Sequence, residues 1–137
     1  MENVVWLSLA YPGWYVSTLR APLAHIWLTT IPASGVVALA AGLILALVKR
    51  EPAVLLAVGA FLISHAYVAI AAFFRGQYSD SGPSLIAFLV VVAALVVFMI
   101  VRARASRLAA ILVGWFTVTY ALFSGFVGSM AFADVWM

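Results

Sequence analysis

The chain has no cysteine and very little charge. Without thiols there is no disulfide, no thiolate metal centre and no cysteine nucleophile, and cysteine usage carries no information about the redox compartment. Seven Lys or Arg and four Asp or Glu amount to 8% of 137 residues, where soluble domains carry about 25%. Hydrophobic residues reach 68%, and mean hydropathy is +1.24. Eleven charges cannot keep a particle of 14.7 kDa in water. That excludes a water-soluble enzyme, a disordered tail and a nucleic-acid-binding module.

Catalytic signatures are missing as well. The sequence contains no HExxH, no phosphate-binding loop, no GxSxG elbow and no cluster of carboxylates. The four acids, Glu2, Glu51, Asp80 and Asp134, all fall at or beyond the ends of apolar runs. A carboxylate at bilayer depth is what proton relays and cation-coupled transport use, so this distribution argues against both. No metal site is expected, and an enzyme is the less favoured class. The basic balance, +3 with a pI near 9.7, sits in short turns rather than in a stripe interleaved with exposed aromatics. It therefore points to membrane topology and lipid headgroups, not to nucleic acid.

What the chain does have is long apolar runs. Four segments, 26–48, 53–74, 84–101 and 108–133, lie between charged or polar breaks, each near the ~20 residues that a helix needs to cross ~30 Å of hydrocarbon. Barrel strands would be shorter and would alternate apolar with polar residues. Backbone groups without water must be satisfied internally, which leaves helices. The breaks are Lys49-Arg50-Glu51-Pro52, with Pro52 suited to a first helical position, a Gly- and Pro-marked loop over 75–83, and the turn at 102–107. The expected fold is an all-α membrane protein: four transmembrane helices as two antiparallel hairpins, with residues 1–25 as an N-terminal interfacial segment ahead of a 26–133 bundle. The two basic turns hint at duplication, but they share nothing beyond charge, so no repeat is assigned.

Lys49, Arg50, Arg102, Arg104 and Arg107 lie in the two short turns, against Arg20 and Arg75 on the other side. The positive-inside rule then puts both turns in the cytoplasm and both termini outside a plasma (inner) membrane. Trp6, Trp14, Trp27, Tyr78 and Trp136 would line the outer interface. Met1-Glu2-Asn3 lacks the basic start of a secretory signal, and Tyr11-Pro12-Gly13-Trp14-Tyr15 interrupts a run too short to span. An outer-leaflet anchor, or a lid over the bundle, is expected for this segment. Arg102, Arg104 and Arg107 could grip anionic headgroups as well as set topology.

Inside the spans, His65 is the ionisable residue at depth, about 20 Å from the turn end by helical rise. Such a residue defaults to a functional hypothesis. Ser64 and Tyr67 are neighbours on the same span. Tyr120 lies at similar depth in the fourth span, with Thr117 and Ser124 three residues before and four after it on one face. His65, Tyr120, Thr117, Ser124 and Tyr67 are thus candidate ligand-binding residues for haem, quinone or a small polar solute. The plain alternative is interhelical glue, at about 0.6 kcal/mol per contact. Bis-histidine haem is disfavoured, because His25 and His65 differ in depth by roughly 10–15 Å, whereas two axial ligands share one level.

Packing signals are denser than chemical ones. Ser34, Ala38, Gly42 and Ala46 repeat at i, i+4 in the first span. Ala121, Gly125, Ser129 and Ala133 do so in the fourth, with Gly128 beside them. Small residues let helix backbones approach closely, within a chain or between subunits. Pro32 and Gly35 could kink or break the first span, and the bulky third span reads as lipid-facing. Three functions remain open. The first expected is a non-catalytic subunit or assembly partner in a membrane complex or homo-oligomer; next comes a channel or transporter for a small solute, then a binding protein or enzyme for a hydrophobic cofactor, quinone or lipid at His65.

Overall fold

A computed structural model describes residues 26–76, 81–104 and 107–133, with side chains in the first helix from Ser34 onward. The expected interfacial segment 1–25, with Trp6, Trp14, Arg20 and His25, lies outside the described residues, as do Tyr78, Asp80, Asp134 and Trp136. Four helices follow in order: α1 (Ile26–Val48), α2 (Leu55–Phe73) entered through a 3-10 turn at Pro52–Val54, α3 (Gly82–Arg102) and α4 (Arg107–Ala133). Three stretches, Pro52–Phe73, Gly82–Arg102 and Arg107–Ala133, are long and apolar enough to cross a membrane; Ser34–Val48 is a shorter apolar stretch within α1. The described residues are helical apart from the turns between them, and their apolar helices give the chain membrane character.

Local chemistry explains the helix ends. The Lys49 N–H closes α1 on the Leu45 carbonyl at 3.0 Å. Arg50 then takes φ 52, the left-handed conformation that reverses a chain after a helix. Pro52 follows at the start of the next turn, where its missing N–H costs nothing. At the far end of α2, Gly76 takes φ 68, as a residue without Cβ does freely. The third helix begins at Gly82, two residues before the expected Ser84, because Pro83 is accommodated in its first turn. Helix α1 runs unbroken through Pro32, so the break that Pro32 and Gly35 allowed does not occur.

Helices α2 and α4 form the centre. They begin together, where the Arg104 N–H donates to Glu51 Oε2 at 3.1 Å, and end together, where the Gly76 N–H donates to the Phe132 carbonyl at 3.0 Å. Each flanking helix, α1 on one side and α3 on the other, packs on both. The central pair meets through small faces: Ala57, Ala60, Ser64, Ala71 and Ala72 on α2, and Thr117, Ala121, Ser124, Gly128 and Ala131 on α4. Bilayer hydrocarbon is as apolar as leucine, so close backbone contact rather than water exclusion holds such helices together.

Helix α3 is less uniform than its sequence suggests. It buries Phe88, Val92, Val96 and Met99 along one stripe, while Val90, Val91, Val97, Phe98 and Val101 stay exposed. The lipid-facing expectation fits these exposed positions and not the buried stripe.

Candidate functional site

Tyr120 is the largest fully buried side chain among the described residues. Its ring stacks on Phe61 of α2, with centroids 4.9 Å apart and planes at 21°. Phe61 in turn stacks with His65, one helical turn along, at 6.3 Å and 14°. The three rings make a column from the middle of α4 into α2. Beneath the tyrosine ring lies Gly35 of α1, where any Cβ would collide with the ring carbons. Gly35 therefore serves as the floor of the column rather than as a hinge. His65 is half-buried with Nδ1 inside.

Thr117 and Ser124 lie on the buried face of α4, as their spacing from Tyr120 implied. Thr117 Oγ1 donates to the Val113 carbonyl at 2.8 Å, and Ser64 Oγ donates to the Ala60 carbonyl at 2.8 Å. These hydroxyls thus satisfy themselves within their own helices. Ser124 differs, its buried Oγ having no hydrogen-bond partner among the described residues. Tyr67 does not join the column. It stacks on Phe88 of α3 at 4.3 Å and 11°, meets Phe132 edge-on at 5.9 Å, and its hydroxyl lies 3.4 Å from Ser84 Oγ. Residues 65 and 67 are two apart, so a helix turns their side chains to different sides.

Stacked aromatic pairs contribute about 0.5–1.5 kcal/mol each beyond area burial, a packing role. Among the described residues no group of three or more His, Asp or Glu could hold a metal ion. Phe61 was missed in the sequence, although its i, i+4 spacing from His65 was there to be read.

The small-residue stripes face inward. Ser34, Ala38 and Gly42 are buried, as are Ala121, Gly125 and Gly128; Ala46 and Ser129 are half-buried and Ala133 is exposed. A Cβ on Gly42 would meet the Val54 carbonyl at 3.4 Å, and one on Gly125 would sit 2.7 Å from Leu85 Cδ1. Outside the bundle, Trp115, Val118, Thr119, Leu122, Phe123 and Phe126 line an open apolar groove of about 430 Å³ along α4.

At the turn end, Glu51 is buried although it is charged, and its carboxylate accepts the Arg104 N–H donated from the other turn. Lys49, Arg50, Arg102, Arg104 and Arg107, on the two turns that this bond joins, are all exposed. The Arg102 guanidinium lies 5.2 Å over the Phe98 ring, a cation–π geometry. Sequence reading placed Glu51 only at a span end; nothing local to residues 49–52 reveals a partner 53 positions away.

No protein-family model, no curated protein and no solved structure matches this chain.

Proposed function

We propose that the chain is a four-span integral membrane protein of the plasma (inner) membrane, arranged as two antiparallel hairpins with the 49–51 and 102–107 turns in the cytoplasm, and that it works as a non-catalytic subunit or assembly partner. The supporting observation is the state of the buried polar groups. Thr117 and Ser64 donate to carbonyls of their own helices, and the space between α1, α2 and α4 is filled by Tyr120, Phe61 and the glycine beneath them. Interior chemistry of this kind holds helices in place. The exterior offers the aromatic groove of α4, the face on which a neighbouring transmembrane helix would seat.

The test is the mass of a mildly solubilised preparation by native mass spectrometry. The expected species is heavier than one 14.7 kDa chain, and Leu122→Ala with Phe126→Ala returns it to the single-chain mass without loss of helicity. A monodisperse monomer with no companion sinks the reading. Because cysteine is absent, single cysteines introduced near residues 50, 78 and 105 report topology without background. An impermeant reagent should label position 78 alone.

A second reading rests on Ser124. A buried hydroxyl without a partner among the described residues could receive the polar atom of a small ligand such as a quinone beside the Tyr120 column. Quinone titration into the purified protein, followed by tryptophan fluorescence with and without Ser124→Ala, tests it: saturable quenching that the substitution abolishes supports it, and identical traces remove it.

A further inference from the structure

We propose that the two short turns form one composite site for a phospholipid headgroup carrying two phosphates; this rests on the four-span reading, which puts both turns at the same membrane face. Residues 49–51 and 102–107 are far apart in sequence, yet the Arg104 N–H donates to Glu51 Oε2 at 3.1 Å. That bond acts as a clasp. It ties the turn that carries Lys49 and Arg50 to the one that carries Arg102 and Arg104, with Arg107 opening α4: five exposed cations against one buried carboxylate, an excess of four positive charges.

Local structure positions the backbone or side chain of three of these cations. Arg50 sits at the left-handed turn position, Ala103 between Arg102 and Arg104 is fully buried, and Arg102 lies over Phe98. A guanidinium pairs bidentately with phosphate oxygens, while the lysine ammonium acts as a point charge. A headgroup with a single phosphate can satisfy one turn. One with two phosphates engages both turns at once, gaining the advantage of two linked contacts. Glu51, drawn inward to the Arg104 N–H, leaves the outward surface to the cations.

The experiment uses the full chain in mild detergent and reads retained lipid by native mass spectrometry, with cardiolipin, phosphatidylglycerol and phosphatidylcholine offered in turn. Cardiolipin should be held at least tenfold more tightly than phosphatidylglycerol at matched phosphate. Each cation facing an anionic headgroup changes affinity roughly fivefold. Lys49→Gln with Arg50→Gln, or Arg102→Gln with Arg107→Gln, should each bring cardiolipin down to the phosphatidylglycerol level. Combining the two pairs removes the second contact as well and should take cardiolipin below the phosphatidylglycerol level; a cardiolipin preference that survives loss of either pair overturns the composite site. Glu51→Gln keeps an acceptor for the Arg104 N–H and removes a negative charge, so cardiolipin binding should hold or rise. Glu51→Ala removes the acceptor too, and should bind several-fold more weakly than Glu51→Gln; equal binding overturns the clasp. Should Glu51→Ala fail to fold, the paired cation substitutions at exposed positions decide alone.

Excess inorganic phosphate should leave cardiolipin in place, and displacement by it overturns the lipid assignment. Labelling that puts the two turns on opposite membrane faces sinks the four-span reading and this site together. Correct labelling with no cardiolipin preference sinks the site alone.

Discussion

A hydrogen atom in place of a methyl group decides how closely α2 and α4 approach. A Cβ at Gly128 would lie 2.5 Å from Tyr67 Cε1, and the ring has nowhere to retreat. Phe88 is stacked on it at 4.3 Å, and Phe132 meets it edge-to-face at 5.9 Å. Overpacking of this kind costs about 1–3 kcal/mol. Gly59, on the same bundle, has nothing within 4 Å of its virtual Cβ, so alanine there removes only a helix penalty of up to about 1 kcal/mol. Gly128→Ala should therefore lower the thermal midpoint in detergent by several degrees, while Gly59→Ala leaves it unchanged or raised. Equal effects of the two substitutions would mean that the Tyr67 ring is not held as described.

At the scale of the helix, much of what the sequence makes visible is length and polarity, and much of what it hides is direction. The breaks at Lys49–Pro52 and at Gly82-Pro83 are legible because turn chemistry is local: proline at a first position, glycine beside it in the second break, charge that resists the bilayer in the first. The stripes Ser34, Ala38, Gly42 and Ala121, Gly125 are legible because they repeat at i, i+4. The small face of α2, at Ala57, Ala60, Ser64 and Ala71, steps by three, four and seven residues rather than by a regular four, and is hidden among alanines elsewhere on that helix. On α3 no pattern could help, since nearly every position is bulky and apolar; the buried stripe is selected by its partner, where Val96 Cγ1 would lie 2.9 Å from a Cβ on Gly114. The candidate column was half legible, its depth and hydroxyl spacing from helical rise but not Phe61 between the rings. The Glu51 clasp was not legible at all, because it joins residues 53 positions apart. The selection on α3 has a measurable consequence. Met99 is fully buried and Val97 is 59% exposed. Met99→Ala should cost about 2 kcal/mol or more, and Val97→Ala should stay within about 0.5 kcal/mol, read as unfolding midpoints under one denaturant. Comparable losses would mean that α3 docks through a different face.

For the whole molecule, the arrangement has an asymmetry that sequence order conceals. The first half supplies α1 and α2, the second α3 and α4, yet the centre is α2 against α4, so the dominant contact runs between halves. Both ends of that contact are pinned by bonds that also cross: Glu51 with the Arg104 N–H at one end, the Gly76 N–H with the Phe132 carbonyl at the other. Small faces carry the length between them, Ala57 and Ala60 clustering with Ala121 and Ala71 with Ala131 and Phe132. Covalent continuity through the loop then contributes chiefly loop-closure entropy, which grows only slowly with loop length, while the packed interface supplies the specificity. Two co-expressed pieces, divided between Tyr78 and Ser79, should therefore associate in the membrane and co-purify through a tag on either one. Glu51→Ala should weaken that association more than it destabilises the intact chain, because the intact chain keeps the halves at high effective concentration. If the pieces are each inserted but fail to co-purify, the contact between α2 and α4 is not what holds the bundle together.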